Sequence, residues 1–181
     1  MTNGNSAVAN DGTGDSEPAE TSNVGYDLPA IPAAAGAMIF DDRGRLLILK
    51  PTYKSGWTVP GGVMEADGET PWQACQREVR EETGLEVGSA RLACVDWHPA
   101  GHRSPAGIRF MFDCGVLSDE VLARITLQAE EIAEHKLAPV PEALRLLRGP
   151  LRRRVKAGLE HKEAVYLEDG QAVRAVSNDR T

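Results

Sequence analysis

Apolar and polar positions along the chain fall into short strand-like runs, one sharply bounded helix, further strands and two late helices. Ala35–Phe40 and Arg45–Lys50 are apolar runs joined by Asp41-Asp42-Arg43-Gly44, residues suited to a tight turn, and they predict a hairpin. A loop over 51–56 and a short extended segment, Trp57-Thr58-Val59, lead to a stop at Pro60-Gly61-Gly62. The spacing then predicts a helix over about 71–83. Thr70 is a natural cap, Pro71 fits the first helical position, Gln73 completes a capping box, and Gly84 supplies the left-handed residue that ends a helix. Ala90–Trp97 and Ile108–Val116 read as strands around a polar loop, Pro99–Gly107. Glu130–Ala138 is a weaker strand, and Ser118–Leu127 fits either type. Val140–Leu147 and Leu151–His161 have helical periodicity, and Ala164–Ala175 predicts a hairpin turning at Asp169-Gly170. Elements in this order predict a mixed α/β sandwich rather than a regular parallel βαβ array.

Composition narrows the class. At 181 residues, with 41% hydrophobic and 26% charged positions, the chain has the make-up of one soluble globular domain plus some excess. Residues 1–28 offer little apolar surface and are expected to form a disordered acidic tail. The domain is expected over 32–161, followed by a C-terminal hairpin and tail over 162–181. Of the net charge of −7, the first thirty residues carry −5, so the nearly neutral body gives no electrostatic footprint for duplex nucleic acid. The apolar runs are too short to cross a bilayer, and the first thirty residues lack the basic and apolar regions of a secretory signal. Cys75, Cys94 and Cys114 are odd in number and far apart, which argues against a disulfide framework or a CxxC zinc site. A reduced, cytoplasmic protein is expected.

The helix over 71–83 carries the most chemistry. At 100° per residue, Glu78, Glu81 and Glu82 share a wedge of about 100° centred near Ala74, beside an apolar stripe of Trp72, Cys75 and Val79. Like charges three and four residues apart each cost about 0.2–0.5 kcal/mol. Two readings stay open on the helix alone: a solvated, salt-bridged face, or a site for a hard cation that prefers oxygen ligands.

The flanking residues resemble a known signature. From Gly62 to Leu85 the chain reads GVMEADGETPWQACQREVREETGL, similar to the Nudix box G-x5-E-x7-R-E-U-x-E-E-x-G-U of the Nudix hydrolases, with U aliphatic. Glu69 and Arg77-Glu78-Val79-Arg80-Glu81-Glu82-Thr83-Gly84-Leu85 match it in position; one extra residue, Asp67, lies in the loop after Gly62. The resemblance implies an α/β/α sandwich with a mixed β-sheet and hydrolysis of a diphosphate linkage in a nucleoside diphosphate derivative. It implies Mg²⁺, with Mn²⁺ as a substitute, held by Glu78, Glu82, Glu81 and the Gly62 carbonyl. In the same pattern Glu81 can activate water, Arg77 holds Glu78 in place, and Glu69 braces Arg77. A base can also lie beyond the box, where Glu130, Glu131 and Glu134 are candidates.

Among cations that could meet substrate phosphates, Arg109 leads, with Arg103 and Lys50; Lys54 and His102 lie in similar loops. Trp57 and Trp97 suit packing better than base stacking. The basic run Arg145, Arg148, Arg152, Arg153, Arg154 and Lys156 lacks interleaved aromatics and reads as a solvated helical face. His98, His135 and His161 have no ligand spacing. The partner expected is a small nucleotide or diphosphate, with no membrane and no nucleic acid, and a homodimer is admissible. One alternative is a Nudix-fold module that binds nucleotide without cleaving it. Another is isomerase chemistry on a prenyl diphosphate, for which Cys75 is poorly placed in the apolar stripe.

Overall fold

The computed structural model describes Met1 and residues 30–101 and 105–176. The expected tail (Met1 apart), His102 and Arg103 lie outside the described residues. The elements are β1 (Ala33–Phe40), β2 (Arg45–Pro51), β3 (Gly61–Val63), α1 (Pro71–Thr83), β4 (Arg91–His98), β5 (Gly107–Val116), α2 (Asp119–Leu122), β6 (Ile132–Pro139), α3 (Val140–Leu146), α4 (Gly149–Glu160), β7 (Val165–Glu168) and β8 (Gln171–Ala172).

One mixed sheet runs β6-β2-β1-β5-β4-β7-β8, with β3 added on β1. The β1/β5 and β4/β7 pairs are parallel and the others antiparallel. Because side chains alternate along a strand, β1 sends Ala35, Ala37 and Ile39 to one face and Met38 to the other. The first face packs against Ala74, Cys75 and Val79 of α1. The second packs against Ala143 and Leu147, at the end of α3, and Val155 of α4. The result is an α/β/α sandwich with a mixed sheet. No helix among the described residues is long and apolar enough to cross a membrane.

Strand β5 occupies one edge of β1 along its length, so β2 and β3 must share the other. Phe40 pairs with Leu46 of β2, whereas Ala34, Ala35 and Gly36 pair with Val63, Gly62 and Gly61 of β3. The sheet therefore divides along that edge. β3 departs from the sequence expectation, in which Pro60-Gly61-Gly62 stopped a strand. The two glycines are the strand: Gly61 has φ +146° and approaches β1 so closely that a Cβ would collide with the Ala35 carbonyl.

The hairpin after residue 161 belongs to this sheet. β7 lies parallel to β4, Leu167 is buried, and the turn has positive φ at both Asp169 and Gly170. The segment with no clear preference, Ser118–Leu127, forms one short helix capped by Ser118 and then irregular chain.

The β1–β2 turn is organised by Asp41, fully buried, which accepts the Arg43 and Arg45 backbone N–H groups at 3.1 and 2.7 Å and the Arg45 guanidinium. Burial alone would raise its pKa, but these donors outweigh it and hold the carboxyl below its usual value. A depressed pKa contributes stability above the unfolded value and loses it as pH falls through the folded one. Asp41→Asn is therefore expected to lower Tm at neutral pH, with the gap to wild type closing below about pH 4; thermal melts across pH check this.

Candidate active site

The site begins at the start of α1. Thr70 accepts the Gln73 backbone N–H at 3.2 Å and Gln73 returns a bond to the Thr70 N–H at 2.9 Å, completing the expected box. At the other end Gly84 has φ 69° and its N–H reaches the Arg80 carbonyl. With both ends fixed, Arg77 projects into the loop before the helix. Its Nε donates to Glu69 Oε1 at 2.8 Å and its Nη2 to Glu69 Oε2 at 3.2 Å, a bidentate pair. Nη2 also donates to the Val63 carbonyl at 3.0 Å, and Nη1 to Glu78 Oε1 at 2.9 Å and Glu81 Oε2 at 3.0 Å. One guanidinium thus holds three carboxylates and β3. Bonding to Arg77 holds the Glu69 carboxyl below its usual pKa despite partial burial.

The extra loop residue is absorbed without disturbing this. Asp67 accepts the Glu69 N–H at 3.0 Å, Gly68 has φ +95°, and the Glu65 N–H donates to Glu69 at 2.9 Å, all in an exposed turn.

Glu82 behaves differently. It is 4% exposed and accepts the Gly61 N–H on Oε2 at 2.8 Å. Burial pushes its pKa up to about 7, with Glu78 and Glu131 adding repulsion. Burial also raises Glu78, against the pull of Arg77. Glu78 lies so close to Gly62 that a Cβ there would overlap its carboxylate. Of the three acids considered outside the helix, Glu131 acts electrostatically on both Glu78 and Glu82; Glu134 faces Lys50 instead.

Among the described residues, the acidic trio whose oxygens converge within 4.8 Å is Asp41, Asp42 and Asp119, away from α1. Asp41 is already saturated by its turn, and Asp42 and Asp119 each approach Arg43, so that group reads as turn structure.

Gly61 and Gly62 also line a cleft of about 270 Å³. Its apolar lining includes Val59, Met111 and Leu151, and its cations are Lys54, Arg109 and Arg154. Arg109 thus stands in the cleft. Lys50 does not: it sits on β2 with its ammonium 3.8 Å from Glu134. Arg154 belongs to the basic run expected on a solvated helical face. Instead it is largely covered, with Nε 2.8 Å from Asp96, itself fully buried. The signal for it was present, because Leu151, Arg154, Val155 and Gly158 recur at helical spacing on one face of α4. Elsewhere in the run Arg153 holds Asp169 and Lys156 faces Glu160. Cys75 is fully buried; bonding with the Cys114 thiol and then burial push its own thiol up in pKa, which suits packing rather than reactivity.

A family model described as NUDIX domain matches residues 30–159. The chain belongs to the NUDIX family. It is similar to a MutT-like protein of Streptomyces ambofaciens, 46% identical over 63 residues, 35% of this chain and 40% of that one. It is also similar to an RNA pyrophosphohydrolase of Hydrogenovibrio crunogenus, 36% identical over 113 residues, 55% of this chain and 66% of that one. The chain spans less than two thirds of the length of these curated relatives. The NUDIX domain of Shewanella oneidensis NrtR, solved with ADP ribose, shares the fold with a TM-score of 0.62 at 16% identity, over 75% of this chain and 93% of that one.

Among the described residues, removing Arg154 would leave the buried Asp96 carboxylate with the Gly170 N–H as its one donor. Arg154→Ala is expected to cost about 3–5 kcal/mol, as measured by denaturant unfolding.

Proposed function

We propose that this NUDIX chain is a divalent-metal-dependent hydrolase that cleaves a diphosphate linkage in a nucleoside diphosphate derivative or a similar small phosphorylated metabolite. The observation that carries this reading is the placement of Glu78 and Glu82 against Gly61 and Gly62, two glycines that also line a cationic cleft. The donors fit Mg²⁺, or Mn²⁺ in its place: all are hard oxygens, and the buried Glu82 carboxylate is repelled by Glu78 and Glu131, with Lys54 giving only a smaller opposing pull. Glu78 and Glu82 would hold the ion, with the Gly62 carbonyl completing the set; Glu81 would either join them or serve the attacking water. When bound, it supplies neutralisation of phosphate charge and a water of lowered pKa.

The protein's own groups do the positioning. Arg77 fixes Glu78 and Glu81 in one orientation, and Glu69 prevents the guanidinium from swinging away. Glu81 gives Oε2 to Arg77 and is 44% exposed, which leaves Oε1 to take a proton from the attacking water. Lys54 and Arg109 meet the anionic substrate from the cleft. Substitution at phosphorus asks for alignment and charge neutralisation more than for covalent help. The thiols of Cys75, Cys94 and Cys114 are free, which suits a reducing cytoplasm.

The direct test is a panel of nucleoside triphosphates, dinucleoside polyphosphates, ADP-ribose and nucleotide sugars with Mg²⁺, read by phosphate release and chromatography. Binding without any product would favour the non-cleaving module instead. Glu82→Gln is expected to lower kcat by more than about 100-fold, beyond the loss typical of residues that only support a ligand. Because it removes a buried, repelled charge, the same variant is expected to keep or raise the Tm of metal-free protein while losing the rise that Mg²⁺ gives wild type. Wild-type turnover by Glu82→Gln would overturn the site. Arg77→Lys, which cannot reproduce the forked contacts, is expected to lose about 10–100-fold in activity.

A further inference from the structure

Arg109 and Arg154 converge at the end of the cleft away from the glutamates. Arg109 lies on β5 directly across from Asp96 of β4, and Arg154 descends from α4 onto the same carboxylate. Both Asp96 oxygens are taken: Oδ2 accepts Arg154 Nε at 2.8 Å and Oδ1 accepts the Gly170 N–H at 2.7 Å. Among the described residues Arg109 has no carboxylate bond, and its Nη1 donates to the Ile108 carbonyl at 3.1 Å. Two guanidiniums therefore share one saturated carboxylate in a partly covered pocket, an excess of one positive charge. Burial, and then the charge of Arg154, lower Arg109 from its usual pKa, against a smaller opposing pull from Asp96.

The register fixes where this charge stands. Val63, Ala34 and Arg109 form one row across β3, β1 and β5, with Gly61, Gly36 and Met111 two residues along. Two strand spacings separate the backbone of β3 from that of β5, about 10 Å. Between them lie Val59 and Met111, an apolar floor that offers an anion nothing.

We propose that the Arg109–Arg154 pair is a second oxyanion subsite, so that the substrate carries a phosphate or carboxylate remote from the diphosphate that is cleaved. Arg154 is oriented by Asp96 and presents its remaining nitrogens, while Arg109 provides the uncompensated charge. The proposal rests on the hydrolase reading for the word substrate, but the subsite itself needs neither metal nor turnover.

The test accordingly uses metal-free protein in EDTA and calorimetric titration. Adenosine 3′,5′-bisphosphate is compared with adenosine 5′-monophosphate, and UDP-glucuronate with UDP-glucose; each pair differs by one anionic group. The doubly anionic member of at least one pair is expected to bind about 10-fold more tightly to wild type and to Glu82→Gln, and the preference is expected to vanish in Arg109→Gln. Whichever pair responds tells phosphate from carboxylate. Arg109→Gln is also expected to keep or raise Tm, since it removes an unpaired charge; a structural role would lower it. No preference in either pair, no binding of any probe, or a preference that survives in Arg109→Gln would overturn the subsite. Loss of turnover in Glu82→Gln with the preference intact would separate this result from failure of the catalytic reading.

Discussion

A single guanidinium orders the acidic end of this molecule. Arg77 joins Glu69, Glu78, Glu81 and the Val63 carbonyl, so it ties the helix that presents the acids, the loop before it and the short strand beside them. Without that cation, Glu78 and Glu81 would repel each other at helical spacing, and Glu69 would lose its hold on the helix. Glu82 is the acid it does not touch. That carboxylate is held by a backbone N–H instead, and stays buried among other carboxylates.

Charge is unevenly matched on both sides of the cleft. Beside Gly61 the buried Glu82 carboxylate is held by a backbone N–H and has no ion-pair partner among the described residues, and at the other side Arg109 has no carboxylate of its own. Each arrangement lowers the stability of the empty protein, because a desolvated charge without a partner is costly. On the proposed reading, a substrate accompanied by a divalent cation and carrying an extra oxyanion would relieve both together. Stability withheld from the free fold is in this way available to ligand binding.

Much of this was legible in the chain because the deciding signals were local. The capping box, the terminal Gly84 and the spacing of Arg77 to Glu82 are all within fifteen residues, and helix α1 forms where they place it. The order of strands followed from apolar runs of adequate length. What escaped depends on contacts between distant segments. β3 is a strand only because β1 offers an edge and Gly61 can come close enough to use it. Arg154 is a cleft residue only because β4 buries Asp96 beneath it, 58 positions away in sequence. Lys50 and Lys54 are equivalent as letters, and their roles separate only when β6 sets Glu134 opposite the first.

The paired glycines of β3 have a consequence for how this chain can diverge. A methyl group at position 61 would strike the main chain of β1, and one at position 62 would strike Glu78. At 61 the obstacle is backbone, which cannot step aside; at 62 it is the Glu78 carboxylate, which can make room only by giving up its place beside Arg77. Lineages descending from this sequence can therefore retune which molecules they accept through exposed Lys54 and through Leu151 of α4, while these two codons stay frozen for as long as the chemistry is kept.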